Sequence, residues 1–201
     1  MTTYSNLKYD HPFSANATGT GSLTKISSQT ASGTSTIDFT SNIDSSYKEY
    51  IFKFINCHLS NDSAVLALQF SSDGGSSYGI TKTSTFFEAH HNEAGTSSNL
   101  AYDSGSDRAQ STVGFSLAAL GVSNDDDASI SGYLDLFDPS NTTFVKHFII
   151  RANSLASNAN GNAVDCYVAG YLNTTSAING VRFYSNVGTI DSGTIIMYGV
   201  S

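Results

Sequence analysis

The chain has 201 residues, and Ser, Thr, Asn and Gly together fill 86 of them. Long-helix proteins draw on Ala, Leu, Glu, Lys and Arg, so a chain with 13% charged residues and three Glu argues against helical bundles and coiled coils. Its 39% hydrophobic content, with 11 Tyr and 12 Phe, exceeds what a disordered chain carries, and nine scattered basic residues in a net charge of −8 exclude a phosphate-backbone binder.

Residues 1–22 read as a polar N-terminal arm that ends in a Gly/Thr/Ser stretch without sustained period. From there, short β-rich runs recur every 10 to 15 residues between Gly, Asn, Asp and Ser clusters. The first is Leu23–Thr30. Ile37 and Phe39 then alternate with polar neighbours in 34–39, and 41–46 reads as a turn. Tyr47–Cys57 is the strongest strand, with Tyr50, Phe52 and Phe54 on one face and Ile51, Lys53 and Ile55 on the other. Residues 58–63 turn the chain into a strand over 64–70, and Asp73-Gly74-Gly75 reads as a hairpin turn that needs positive φ.

The middle is less regular. Residues 85–87 read as a short strand, 91–107 as a long polar loop, and 112–120 as a strand that Asn124-Asp125-Asp126-Asp127 interrupts. Periodicity returns with strands over 129–137, 142–151, 161–172, 181–184 and 193–200, and a turn over 138–141. Nine to eleven strands are expected. The fold class is all-β: a single antiparallel β-sandwich, jelly-roll-like, over residues 23–201, behind the arm.

No apolar run approaches the roughly 18 residues of a membrane span. Met1–Asn16 lacks a signal-peptide core, so folding in a cytoplasm is expected, without membrane insertion. Cys57 and Cys166 sit in apolar segments and read as buried reduced thiols.

Four phrases are familiar together: TSTIDFTSNIDSSYKEYIFKFINCH (34–58), TKTSTFFEAHHNEAG (81–95), ISGYLDLFDPSNTTFVKHFI (130–149) and VAGYLNTTSAINGVRFYSNVGTIDSGTIIMYGV (168–200). In this order they resemble a family of small virion proteins of marine tailed bacteriophages, cyanophages among them. Members are labelled structural, tail-fibre or tail-associated. The resemblance covers most of 23–200 but not the arm, and it brings no catalytic residues. It implies a particle component, with a tail or tail-fibre role first and capsid decoration second. It also implies a virion localisation, and a homo-oligomer for which a trimer is the expectation by analogy with phage fibres. The arm is expected to dock to other virion proteins.

Chemistry-bearing clusters are few. Glu88, His90, His91 and Glu93 could ligate a transition metal, but no further ligand is suggested, and they read as a polar strand end. The acidic run 124–127 lacks the alternation, Gly and Glu of an EF-hand loop and reads as a solvated turn. His147, between Val145 and Ile149, reads as a packed or interface histidine. No nucleophile elbow is present, and paired carboxylates for glycan cleavage are not evident. No catalytic, cofactor-binding or metal residue is expected, and no cofactor. The competing class is a carbohydrate-binding module holding a host surface glycan through Tyr, Asn and Asp of the 91–107 loop.

Overall fold

The structure, a computed structural model, describes residues 22–157 and 161–201. The arm expected over 1–22 lies outside the described residues except for Ser22. In chain order the strands are β1 (Leu23–Thr30), β2 (Thr36–Phe39), β3 (Glu49–Leu59), β4 (Leu66–Ser71), β5 (Lys82–Asn92), β6 (Ser98–Tyr102) and β7 (Arg108–Ser111). They continue with β8 (Phe115–Ser116), β9 (Ile130–Phe137), β10 (Lys146–Leu155), β11 (Asn162–Leu172), β12 (Gly180–Ser185) and β13 (Ile190–Val200). Among the described residues there is no helix.

Two antiparallel sheets pack face to face. One has the order β1-β13-β3-β9-β10-β11-β5-β6, with β7 also paired to β5; the other has the order β2-β12-β4-β8. The pairing is nested: β1 pairs with β13, β2 with β12, β3 with β9 and β4 with β8. The quartets β1-β13-β3-β9 and β2-β12-β4-β8 therefore make a jelly roll. The remaining strands widen only one sheet, past β9.

Alternation explains the core. Tyr50, Phe52 and Phe54 of β3 are fully buried, as are Leu66, Leu68 and Phe70 of β4. Phe52 and Phe54 meet Phe183 of β12 at ring distances of 6.1 and 6.0 Å. Phe148 of β10 stacks on Phe115 of β8 at 5.1 Å and touches Phe70 at 5.8 Å. Aromatic pairs thus join the sheets at two places in the core. Both cysteines are buried and free, and burial pushes each thiol up to about 12.

Several expectations need correction. Thirteen strands are present among the described residues, not nine to eleven. The strand expected over 85–87 runs from Lys82 to Asn92, and the expected 91–107 loop contains β6 and the approach to β7. β6 is an edge strand exposed along most of its length, so it carries no hydrophobic alternation to detect. The Asp73-Gly74-Gly75 turn does form, with Gly74 and Gly75 at positive φ. It is not a hairpin, because β4 and β5 belong to different sheets. Over 112–120 only Phe115–Ser116 pair as a strand. β10 begins at Lys146, because the Asn141 side chain holds the backbone N–H groups of Thr143 and Phe144 in a turn. Phe144 lies outside the core.

One bulge sets the bend of β3. Asn56 has φ 49° and Gly193 opposite it φ 111°. A Cβ on Gly193 would stand 2.6 Å from the Asn56 carbonyl oxygen, so only glycine lets the strands approach here.

Candidate functional site

The structure scatters the candidate clusters of chemistry-bearing side chains. Glu88 and His90 share the inward face of β5, with Glu88 Oε1 3.3 Å from His90 Nδ1. His91 points to the opposite face, as strand alternation requires, and is exposed. Glu93 is exposed in the following turn. Glu88 faces Cys166 across the β5–β11 ladder, and its Oε2 is buried without a partner. Among the described residues, no three His, Cys, Asp or Glu side chains are grouped to hold a metal ion.

The acidic run closes its own turn. Ser123 Oγ donates to Asp125, and the Ala128 N–H donates to the Asp125 carbonyl. Asp126 and Asp127 edge a hollow of about 470 Å³ together with His58. His58 Nδ1 lies 3.8 Å from Asp191. His147 is exposed on β10, not packed, with its ring 6.4 Å from that of Tyr171.

What the fold does assemble is a surface. On the outward face of the nine-stranded sheet, cross-strand register lines up Ile196, Lys53, Tyr133, Arg151, Tyr167, Phe87 and Tyr102, one each from β13, β3, β9, β10, β11, β5 and β6. Except for Tyr102 on the exposed edge strand β6, each residue alternates with core residues on its own strand. Their alignment is a product of register alone.

The middle of the row is rigidly braced. Arg151 binds Asp165 with both ends of its guanidinium fork, at 3.1 and 2.7 Å. That pairing holds the Asp165 carboxyl below its usual range, assisted by the Tyr167 hydroxyl, which donates to Asp165 at 3.1 Å. The Arg151 guanidinium lies 4.9 Å from the Tyr167 ring centre. Phe87 stacks on Tyr167 with centroids 4.9 Å apart and planes within 5°. Beside Tyr133, a shallow hollow of about 370 Å³ is lined by Ser131, Arg151, Asn153 and Asp165. In the neighbouring row Asp135 sits between Ile51 and Ile149. Partial burial, reinforced by Glu49 and opposed by Lys53, pushes its carboxyl up to about 6.

Sequence reasoning missed this row. Its residues come from seven separate segments, and the available signal was only that outward positions of several strands carry Tyr, Phe and Arg where Ser and Thr would suffice. Two buried lysines were missed as well. Lys82 and Lys146 are fully buried on either side of Leu172 and cap loop carbonyls. Lys82 Nζ donates to the carbonyls of Ile80 and Ser111, and Lys146 Nζ to those of Phe144 and Thr174.

Comparison with family models, curated proteins and solved structures returns no match for this chain.

Proposed function

We propose that this protein is a bacteriophage virion component, tail- or tail-fibre-associated, that acts by assembly and surface contact and performs no catalysis. Two things support the reading: the sequence resemblance over residues 34–200, and the braced aromatic row on the outer face of the nine-stranded sheet. The row is the observation that carries a contact function. Seven of the eleven large apolar or aromatic side chains exposed among the described residues lie on this one face: Leu23 at its edge, and Ile55, Phe87, Leu100, Tyr102, Tyr133 and Ile149. Exposed apolar surface concentrated in this way marks interaction sites, whereas single scattered residues do not. A jelly-roll scaffold suits such a role, because its core is independent of what its faces present.

In this reading residues 1–22 dock the protein to other particle proteins. Purified particles should contain the protein in many copies, with antibody label on the tail; label on the head would favour capsid decoration instead. Deleting residues 1–21 should leave the melting temperature unchanged while preventing incorporation into particles. Absence of the protein from purified particles overturns the proposal. The second reading, a host-glycan-binding module, is favoured by the hollow beside Tyr133, whose lining includes the hydrogen-bonding side chains of Ser131, Asn153 and Asp165, and it predicts saturable binding to host surface polysaccharide.

A further inference from the structure

We infer that the outer face of the nine-stranded sheet pairs with the same face of a second copy of this chain, as a two-fold dimer; the inference rests on the surface-contact reading above. The first observation is ring orientation. The 4.9 Å separation and parallel planes of Phe87 and Tyr167 match the spacing of adjacent strands, so the rings stand upright on the sheet like books on a shelf. Phe87 and Arg151 occupy the two sides of the Tyr167 ring. The middle of the row therefore presents edges, not free ring faces on which a sugar could lie. A broad opposing surface fits such a ridge better than a small ligand does.

The second observation is extent. Seven strands from β13 to β6, at about 4.8 Å spacing and about 3.3 Å per residue along each, make a face of about 30 by 30 Å, or about 900 Å². That is comparable with the roughly 800 Å² that each partner of a stable complex buries.

The third is self-complementarity. The row is polarised, with Lys53 toward one end, Phe87 and Tyr102 at the other, and Arg151 in the middle on β10. A two-fold axis parallel to the strands and passing over β10 reverses the strand order. It sets Lys53 over Phe87 of the second copy and Ile196 over its Tyr102, which are cation–π and apolar pairings. Arg151 would meet its own counterpart near the axis, and its bidentate Asp165 neutralises it there. Such a pairing is isologous, the commonest symmetry of soluble oligomers, and it packs two equally twisted sheets in the aligned mode. From β3 to β6 the outward Lys, Arg, Asp and Glu side chains are Lys53, Arg151, Glu49, Asp135 and Asp165, two positive against three negative, so little of the −8 net charge opposes association.

Sedimentation equilibrium of the full chain up to about 100 μM tests the pairing. The wild-type chain should be a dimer. Phe87→Lys, which sets like charges against each other, should weaken association at least about tenfold, and adding Lys53→Glu should restore it. Ile149→Glu gives an independent disruption at an exposed position, and circular dichroism with melting temperature verifies that each variant folds. A monomer at all concentrations, a trimer, a Phe87→Lys dimer as tight as wild type, or no rescue by Lys53→Glu overturns the inference. A monomer that instead binds host polysaccharide or another particle protein through this face overturns it too. If the dimer forms but the protein is absent from purified particles, the virion reading falls while the pairing stands.

Discussion

The outward faces of the two sheets carry the same kinds of residue and use them differently. On the four-stranded sheet Arg182 grips Asp38 with two bonds of 2.7 Å, and Tyr78 covers its guanidinium at 3.9 Å from the ring centre. Both charges are satisfied, and no large apolar side chain of this face is exposed among the described residues. On the nine-stranded sheet Arg151 and Asp165 make the same bidentate pair, but it lies open beside Phe87, which is 41% exposed, Tyr102 at 56% and Leu100 at 72%. One arginine has been finished with a tyrosine lid from its own chain. The other stands in an aromatic row that the described residues leave uncovered. Identical local chemistry thus closes one face and leaves the other available for contact.

The largest expected effect joins the two faces, because both depend on one core. Phe148→Ala removes the ring that stacks on Phe115 and touches Phe70, and should cost about 3–5 kcal/mol in urea unfolding. Next is Gly132→Ala, on β9 under the row. Its new Cβ would stand 2.2 Å from the Arg151 carbonyl oxygen and 2.6 Å from the Phe54 ring, so a loss of about 3 kcal/mol is expected. A comparable change to the four-stranded face has no such leverage on the row.

The buried lysine contributes a pH dependence of known sign. Burial lowers Lys82 to about 8 in the folded protein, against an unfolded value near 10.5. Below pH 8 both states hold the proton, and folding bears the cost of a desolvated charge. Between pH 8 and 10.5 the unfolded chain binds more protons, so stability rises with pH. A gain of about 1–3 kcal/mol across that window is expected from wild type relative to Lys82→Met, read by urea melts at each pH. Asp135 runs the other way. Its folded value of about 6 lies above the unfolded one, so its contribution is full below pH 4 and disappears as pH rises through 6. Asp135→Asn should therefore stabilise the protein at pH 7, by about 1 kcal/mol once solvent screening is allowed for.

The smallest effect sharpens the comparison directly. Arg182→Met breaks a pair partly sheltered by Tyr78 and should cost about 1 kcal/mol. Arg151→Met breaks a more exposed pair and should change the unfolding free energy by less. If Arg151→Met is the more damaging of the two, the difference drawn between the faces is wrong.

Which face of each strand turns inward was legible locally. The alternation in 50–54, 66–70 and 164–168 needs only neighbouring residues, because side chains in a strand have period two and one face must leave water. Turn chemistry was legible for the same reason at Asp73-Gly74-Gly75 and Asp138–Asn141, where side-chain capping and positive φ are properties of a few adjacent residues. β6 was not legible, since an edge strand wet on both faces has no pattern to read. The burial of Lys82 was hidden because a lysine is tolerated inside only when carbonyls remote in sequence arrive to receive it, here that of Ser111 on the paired strand β7. The aromatic row is the extreme case. Its seven residues span positions 53 to 196, and they meet because nested antiparallel pairing brings remote strands side by side in one particular register. For all of them but Tyr102 of β6, local alternation determined that the side chain faces outward. Only the long-range pairing, which a one-residue slip would redirect, decided that they stand next to one another.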